Sequence, residues 1–423
     1  VTTGDAPMPM ESGHPGWPEA IALAAVTGAT TGAFVAGFDL LVVDGMFAHI
    51  AELPVWVLAA APMVGLALAA LIVRYSGRVG TATSDAYIQE FHDPATPIEE
   101  RTVPGRLLAS LVTLGFGNPM GLEGPSMFAG AAIGSFLQRR FHRLFADADR
   151  RVLLVAGTAA GIAAIFKAPM TGVVFALEVP YRDGFERKML LPTLVSAATS
   201  YLVFATINGT APLFPIHGSP GFTVPDLLGA IGLGVIAGLG ARGFSIMIRA
   251  AKRLAAGPRP VLRIVGAGIT IGSVLLITYG ITGRVLTVGI GYGTITWAVA
   301  HDRAVWILLL VLVLRAIATG ASVAGGGVGG LFVPLVVSGA LLGRAAAGIV
   351  PGLDENLSLV IGVAAFLGAG YRVPLAAVIF VAEATGRPGF IVPALLAAVA
   401  AELVMGNESV TSYQRSAEAP SAD

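Results

Sequence analysis

Long apolar runs separated by short polar breaks set the rhythm of this chain. Four stretches carry no Asp, Glu, Lys or Arg: Pro54 to Val73, Met189 to Pro225, Ile264 to Gly283 and Ala316 to Gly343. Each is long enough to cross a hydrocarbon core, which takes roughly 20 residues of helix. Others, such as Val152 to Phe166, are apolar but too short to span with ease, and predict broken, tilted or re-entrant helices. The pattern predicts an all-α polytopic membrane protein.

Composition agrees. Of 423 residues, 55% are hydrophobic and only 12% charged, against about 25% charged in soluble domains, and mean hydropathy is +0.80. Formal net charge is zero, so no nucleic-acid partner is indicated. There is no Cys, which removes disulfides and thiol chemistry. The six His are scattered without metal-ligand spacing, so no metal or other cofactor is expected. The first 18 residues hold Pro, Gly, Glu and Asp rather than the basic and apolar regions of a cleavable signal peptide. An intramembrane enzyme would need paired Asp, Ser/His or a metal at membrane depth. No such pair is evident, so that class is the remote alternative.

The chain also repeats itself. Gly157 to Glu178 and Gly362 to Glu383 both read as a small-residue helix, a proline break (Ala168-Pro169, Val373-Pro374) and an apolar helix ending in Glu. Upstream of each lies a glycine-rich segment, Gly115 to Pro125 and Gly325 to Pro334. Gly/Pro-interrupted segments at matching positions of two halves point to a midplane site in a repeat-built transporter. The organisation expected is a polar segment 1–16, a first membrane repeat 17–215, a linker 216–221, a second repeat 222–405 and a tail 406–423 with no room for a regulatory domain. Lys and Arg cluster at Arg139 to Arg151, Arg182 to Lys188 and Arg249 to Arg263, but partial helices blur any count of crossings.

Within the first glycine-rich segment stands Glu123. An ionisable group at membrane depth is a functional candidate by default. Glycines let amides approach an ion, and the run after Pro125 reads as a helix whose N-terminus would face it. The plainer alternative is a carboxylate that caps a helix. In the second half, the amides of Leu331 and Phe332 open a helix in the same way. Helix-end amides can hold a large halide without trapping it, whereas a bare Lys or Arg would bind too tightly to conduct. Such ends offer N–H rather than carbonyl groups, which disfavours a cation transporter. Glu178 and Glu383 end equivalent helices, so a structural role is expected of both. Asp39 and Asp44 read as interfacial, and Lys167 as a solvated loop residue.

These motifs resemble the CLC family of chloride channels and proton/chloride exchangers. Gly121-Leu122-Glu123-Gly124-Pro125 matches its GxEGP motif, Gly329-Gly330-Leu331-Phe332-Val333-Pro334 its GxFxP motif, and Ala168-Pro169 through Glu178 its proline-to-glutamate helix. The similarity covers roughly Val55 to Gln414. It implies a CLC-like fold of tilted, partly spanning helices in two inverted repeats. It further implies a homodimer with one pore per subunit in a lipid bilayer, prokaryotic-type inner or plasma membrane, with both termini cytoplasmic. Bound chloride or another small monovalent anion is expected, with Glu123 as gate and Thr81, Gly121, Leu122, Gly124, Gly330, Leu331, Phe332 and Thr411 lining the anion path.

Departures from the pattern bear on mechanism. The family's first motif, usually Gly-Ser-Gly-Ile-Pro, is here Gly80-Thr81-Ala82-Thr83-Ser84. The family's inner tyrosine aligns with Thr411, with Tyr413 two residues on, which predicts a wider inner mouth. The proton-relay acid that follows the position of Glu178 is Val179. Lys167 replaces a usual Asn, and Leu122 a usual Arg. On these grounds the sequence favours passive, uncoupled or weakly coupled chloride conduction, with a proton-coupled chloride antiporter as the alternative.

Overall fold

The computed structural model describes residues 17–76, 83–144, 151–187, 189–214, 216, 222–300 and 303–416. Their regular structure is helical. The first half holds α1 (Trp17–Asp39), a π-helical turn Leu40–Phe47, α2 (Ala48–Ala51), α3 (Val55–Tyr75), α4 (Thr83–His92), α5 (Val103–Gly115), α6 (Glu123–Arg140), α7 (Val152–Phe166), α8 (Pro169–Glu178) and α9 (Leu190–Asn208). The second holds α10 (Val224–Ala255), α11 (Pro260–Thr282), α12 (Tyr292–Ala300), α13 (Val305–Ala324), α14 (Phe332–Ile349), α15 (Glu355–Tyr371), α16 (Pro374–Thr385) and α17 (Ile391–Met405).

Among the described residues, eight helices are long and apolar enough to cross a membrane. α7, α8, α15 and α16 are apolar but shorter, as the sequence predicts for partly spanning elements. Ala316 to Gly343 comprises the end of α13, a glycine loop and the start of α14, broken where the glycine-rich segment Gly325 to Pro334 stands. Gly326, at φ +88°, adopts a left-handed conformation that continues no α-helix.

Local chemistry sets the boundaries. Proline near the first position opens α5, α8, α10, α11 and α16, where its missing N–H costs nothing. Thr223 and Asp226 form a capping box on α10, and the Asp354 carboxylate accepts the Leu357 amide at the start of α15. α7 and α15 end alike, on the left-handed residues Lys167 (φ 53°) and Arg372 (φ 59°), each followed by the proline break. This is the internal repeat written in backbone geometry.

The same symmetry governs packing. α6 lies on α7 and α14 on α15 at glycine contacts. A Cβ on Gly130 would strike the Gly157 carbonyl, and one on Gly157 would strike that of Gly130. Gly339 and Gly362 repeat the arrangement in the second half. Without a hydrophobic drive between helices in lipid, such close approach supplies the attraction.

Basic groups gather on one face. Arg139 pairs with Glu90 and Glu100, Arg151 donates to the Phe91 carbonyl, and Lys252 pairs with Asp85. Arg249 meets Glu408 and the Arg182 amide donates to the Arg415 carbonyl. The start of α1 joins this face, since Ala24 packs with Leu153 and Ala156. α6 ends there at Arg139 and Arg140, and α7 departs from it. α15 returns to it at Tyr371, so its partner α14 runs the other way. The N-termini of α6 and α14 therefore converge from opposite directions at the middle of the molecule.

Candidate functional site

At that convergence the two glycine-rich segments are hydrogen-bonded to each other. The Gly121 amide donates to the Gly330 carbonyl at 2.9 Å, and the Gly330 amide to the Gly121 carbonyl at 2.8 Å. Glu123, 1% exposed, opens α6 and turns its carboxylate onto the start of α14. Its Oε1 accepts the Phe332 amide at 2.6 Å, while Oε2 is buried with no hydrogen-bond partner among the described residues. A Cβ on Gly121 or Gly330 would overlap that carboxylate, so glycine at both positions makes its berth. Leu122 and Phe332 are fully buried, and Gly124 lies against Gly330. Phe332 sits in an aromatic cluster with Phe166, Phe175, Phe380 and Tyr371.

From this junction a cavity of about 30 Å³ leads toward the basic face. It is lined by Gly327, Gly329 and Leu331 at one end, by Thr83, Ser84 and Tyr371 along its wall, and by Asp85, Lys252, Val410 and Thr411 at the other. The volume exceeds the ~10–15 Å³ that one water needs. The Tyr371 hydroxyl is 3.4 Å from Ser84 Oγ. Thr83 Oγ1 is buried with no partner among the described residues, and an unpaired buried hydroxyl is a place for a guest.

Several expectations are relocated. Thr81 lies outside the described residues, and Thr83 and Ser84 bring the first-half hydroxyls to the cavity. Thr411 does line it, but its Oγ1 is paired with Ser409 Oγ at 2.9 Å, while Tyr413 is exposed. Tyr371, at the end of α15, brings a phenol to the lining of the same cavity that Val410 and Thr411 line. Pattern reading missed Tyr371, Asp85 and Lys252. Tyr371 occupies the slot just before the left-handed cap Arg372, where a helical repeat gives no hint of a side chain turned inward.

Val179, at the proton-relay position, is buried, and its carbonyl accepts Gln414 Nε2 at 2.9 Å. Lys167 lies at the far end of α7 from the basic face, with Nζ on the Asn208 carbonyl at 3.1 Å. Asp39, half-buried, accepts Asn208 Nδ2 at 2.8 Å. No group of three or more His, Cys, Asp or Glu that could hold a metal occurs among the described residues.

Partly spanning helices whose ends meet at a buried carboxylate beside a hydroxyl-lined cavity define a membrane ion-transport protein. The family model described as voltage gated chloride channel matches residues 64–406, and the chain belongs to that family, the CLC proteins. It is 29% identical over 412 residues to the H(+)/Cl(-) exchange transporter ClcA of Cronobacter sakazakii, covering 90% of this chain and 85% of the relative. The ClcA of Salmonella typhi is 30% identical over 318 residues, 72% of this chain and 66% of the relative. Among solved structures, a slow cyanobacterial Cl-/H+ antiporter superposes with a TM-score of 0.81 at 22% identity, over 93% of this chain and 95% of that one. A CLC-type fluoride/proton antiporter gives 0.79 at 22% identity, over 96% and 100%. The chain is thus an integral, multi-pass anion transport protein of CLC type, not an enzyme; a bound anion is its substrate, and it needs no cofactor.

Proposed function

We propose that the protein exchanges chloride for protons, rather than conducting chloride passively as the missing acid at Val179 and the missing tyrosine at 411 led the sequence to favour. The observation that carries this is Glu123, buried on the Phe332 amide at the meeting of two helix N-termini. Those amides attract negative charge, so carboxylate and anion compete for one berth. A proton that neutralises Glu123, or an anion that displaces it, frees the site, which links the two species through one side chain. The names of the ClcA relatives support the exchanger over the channel.

Both arguments for a channel weaken on the geometry. The phenol absent at 411 is supplied by Tyr371. Glu178 is no free relay, since both its oxygens hold the first amides of α16. The cavity instead gives protons a wet approach, with the hydroxyls of Thr83, Ser84 and Tyr371 to orient water. In this reading the anion rests at the amides flanking Gly121, Leu122, Gly124, Gly330, Leu331 and Phe332, and then at the hydroxyls, with Thr411 beyond them.

The basic face is assigned to the cytoplasm by the positive-inside rule, with both termini on that side, and family resemblance supports a homodimer with one pore per subunit. Residues 17–215 and 222–405 are taken as the two repeats. The test is a liposome assay with a chloride gradient and a pH readout. Uphill proton movement in fixed ratio to chloride is expected; chloride movement without it returns the passive channel.

A further inference from the structure

The cavity ends, on the side away from Glu123, at an ion pair. Asp85 stands in the first turn of α4 and Lys252 in the last turn of α10, the ends at which helix dipoles favour those charges. Lys252 Nζ is 2.8 Å from Asp85 Oδ2 and donates to the Val410 carbonyl at 2.8 Å. Asp85 Oδ1 accepts the Ser412 amide at 3.1 Å, and the Val410 amide donates to the Gly370 carbonyl at 3.0 Å. The pair thus pins residues 410–412 over the end of the cavity. These two residues carry the only charges among the cavity's described lining. Lys252 is 22% exposed and Asp85 9%, so the lysine is partly exposed while its carboxylate partner is buried.

Two of the three ammonium protons are engaged. A lone lysine beside an anion path would trap the anion, and conduction needs binding weak enough to leave. Asp85 cancels that charge and, standing in the path, also repels an anion. An anion leaving the hydroxyls of Ser84, Thr83 and Tyr371 meets both groups at once.

We propose that the Asp85–Lys252 pair is the second gate of the path, crossed when the anion takes the place of Asp85 on Lys252. The inference rests on the transport reading above. It gives the molecule two gates of one kind, since each is a carboxylate that an anion must displace: Glu123 from backbone amides, Asp85 from an ammonium.

Chloride flux into liposomes, measured across a chloride series for wild type, Asp85→Asn, Lys252→Met and the double variant, tests it. Asp85→Asn keeps an oxygen for the Ser412 amide while uncovering the lysine, so the half-saturating chloride should fall at least about threefold and maximal flux should drop. Lys252→Met leaves an unpaired carboxylate in the path and should slow flux at least about tenfold. The double variant should recover flux toward wild type. A merely structural pair would lower the apparent Tm of all three and leave the half-saturating chloride unchanged, which would overturn the inference while wild-type flux upheld the transport reading. Where Lys252→Met fails to fold, chloride titration calorimetry on Asp85→Asn decides: tighter binding than wild type supports the gate, equal binding overturns it. Absence of chloride flux in the wild type would remove both readings.

Discussion

Glu178 and Glu383 each hold the leading amides of the other's helix. Glu178, closing α8, accepts the Leu375 and Ala376 amides of α16 at 3.1 and 2.9 Å. Glu383, in α16, accepts the Met170 and Thr171 amides of α8 at 3.0 and 2.7 Å, and the Thr171 hydroxyl at 2.6 Å. Helix starts leave amides unpaired, and here a carboxylate of the facing helix satisfies them. Each repeat therefore caps the other. Replacing either glutamate by Gln turns one acceptor into a donor facing an N–H group. Each variant should lose about 1–3 kcal/mol, read as a lowered apparent Tm in detergent, with the two losses similar.

Glu123→Gln should give anion flux that no longer depends on pH and moves no protons, because a neutral amide neither titrates nor competes as strongly for the berth. Flux measured in liposomes from acid to alkaline pH checks this. An unchanged pH dependence would rule out Glu123 as the gate.

Tyr371→Phe keeps the ring against Phe175 and Phe332, whose centroids lie 5.4 and 6.3 Å away, and removes only the hydroxyl. Loss of one hydrogen bond to the anion should raise the half-saturating chloride about 2- to 10-fold with little change in thermal stability. Equal half-saturation in the two proteins would take Tyr371 off the path.

Gly130→Ala puts a methyl against the Gly157 carbonyl. Overpacking of this kind costs about 1–3 kcal/mol, so a clear drop in apparent Tm is expected. Gly243→Ala, where a Cβ meets nothing within 4 Å, is the control and should be neutral or slightly stabilising.

Because the chain has no Cys, single introduced thiols report sidedness without background. Ser416→Cys on the basic face should react with an impermeant reagent only from the cytoplasmic side. Met170→Cys, exposed at the opposite face, should react only from the other side. The reverse pattern would invert the assigned orientation.

The fold was legible where chemistry is local. Apolar length announced α3 and α11, proline breaks announced α8 and α16, and the two glycine-rich segments foretold a meeting that the Gly121–Gly330 pairing describes. What pattern could not reach was long-range. Ser84 and Tyr371 are 287 positions apart and share the cavity wall; Asp85 and Lys252 are 167 apart. Tyr371 also shows how a property can move. Position 411 lacks the phenol that the family resemblance leads one to seek, and a different helix end brings one to the lining of the same cavity. Motif alignment compares positions along a chain, whereas a cavity is filled by whichever backbone arrives there.

The paired amides and carbonyls of Gly121 and Gly330 have a mechanical corollary. They join the two glycine-rich segments beside the Glu123 carboxylate, so parting the segments there would break two backbone hydrogen bonds in the buried interior. Under the proposed exchange, turnover by side-chain movement within that frame is the expected outcome, and a covalent tether across the two segments away from the cavity should leave the transport rate intact.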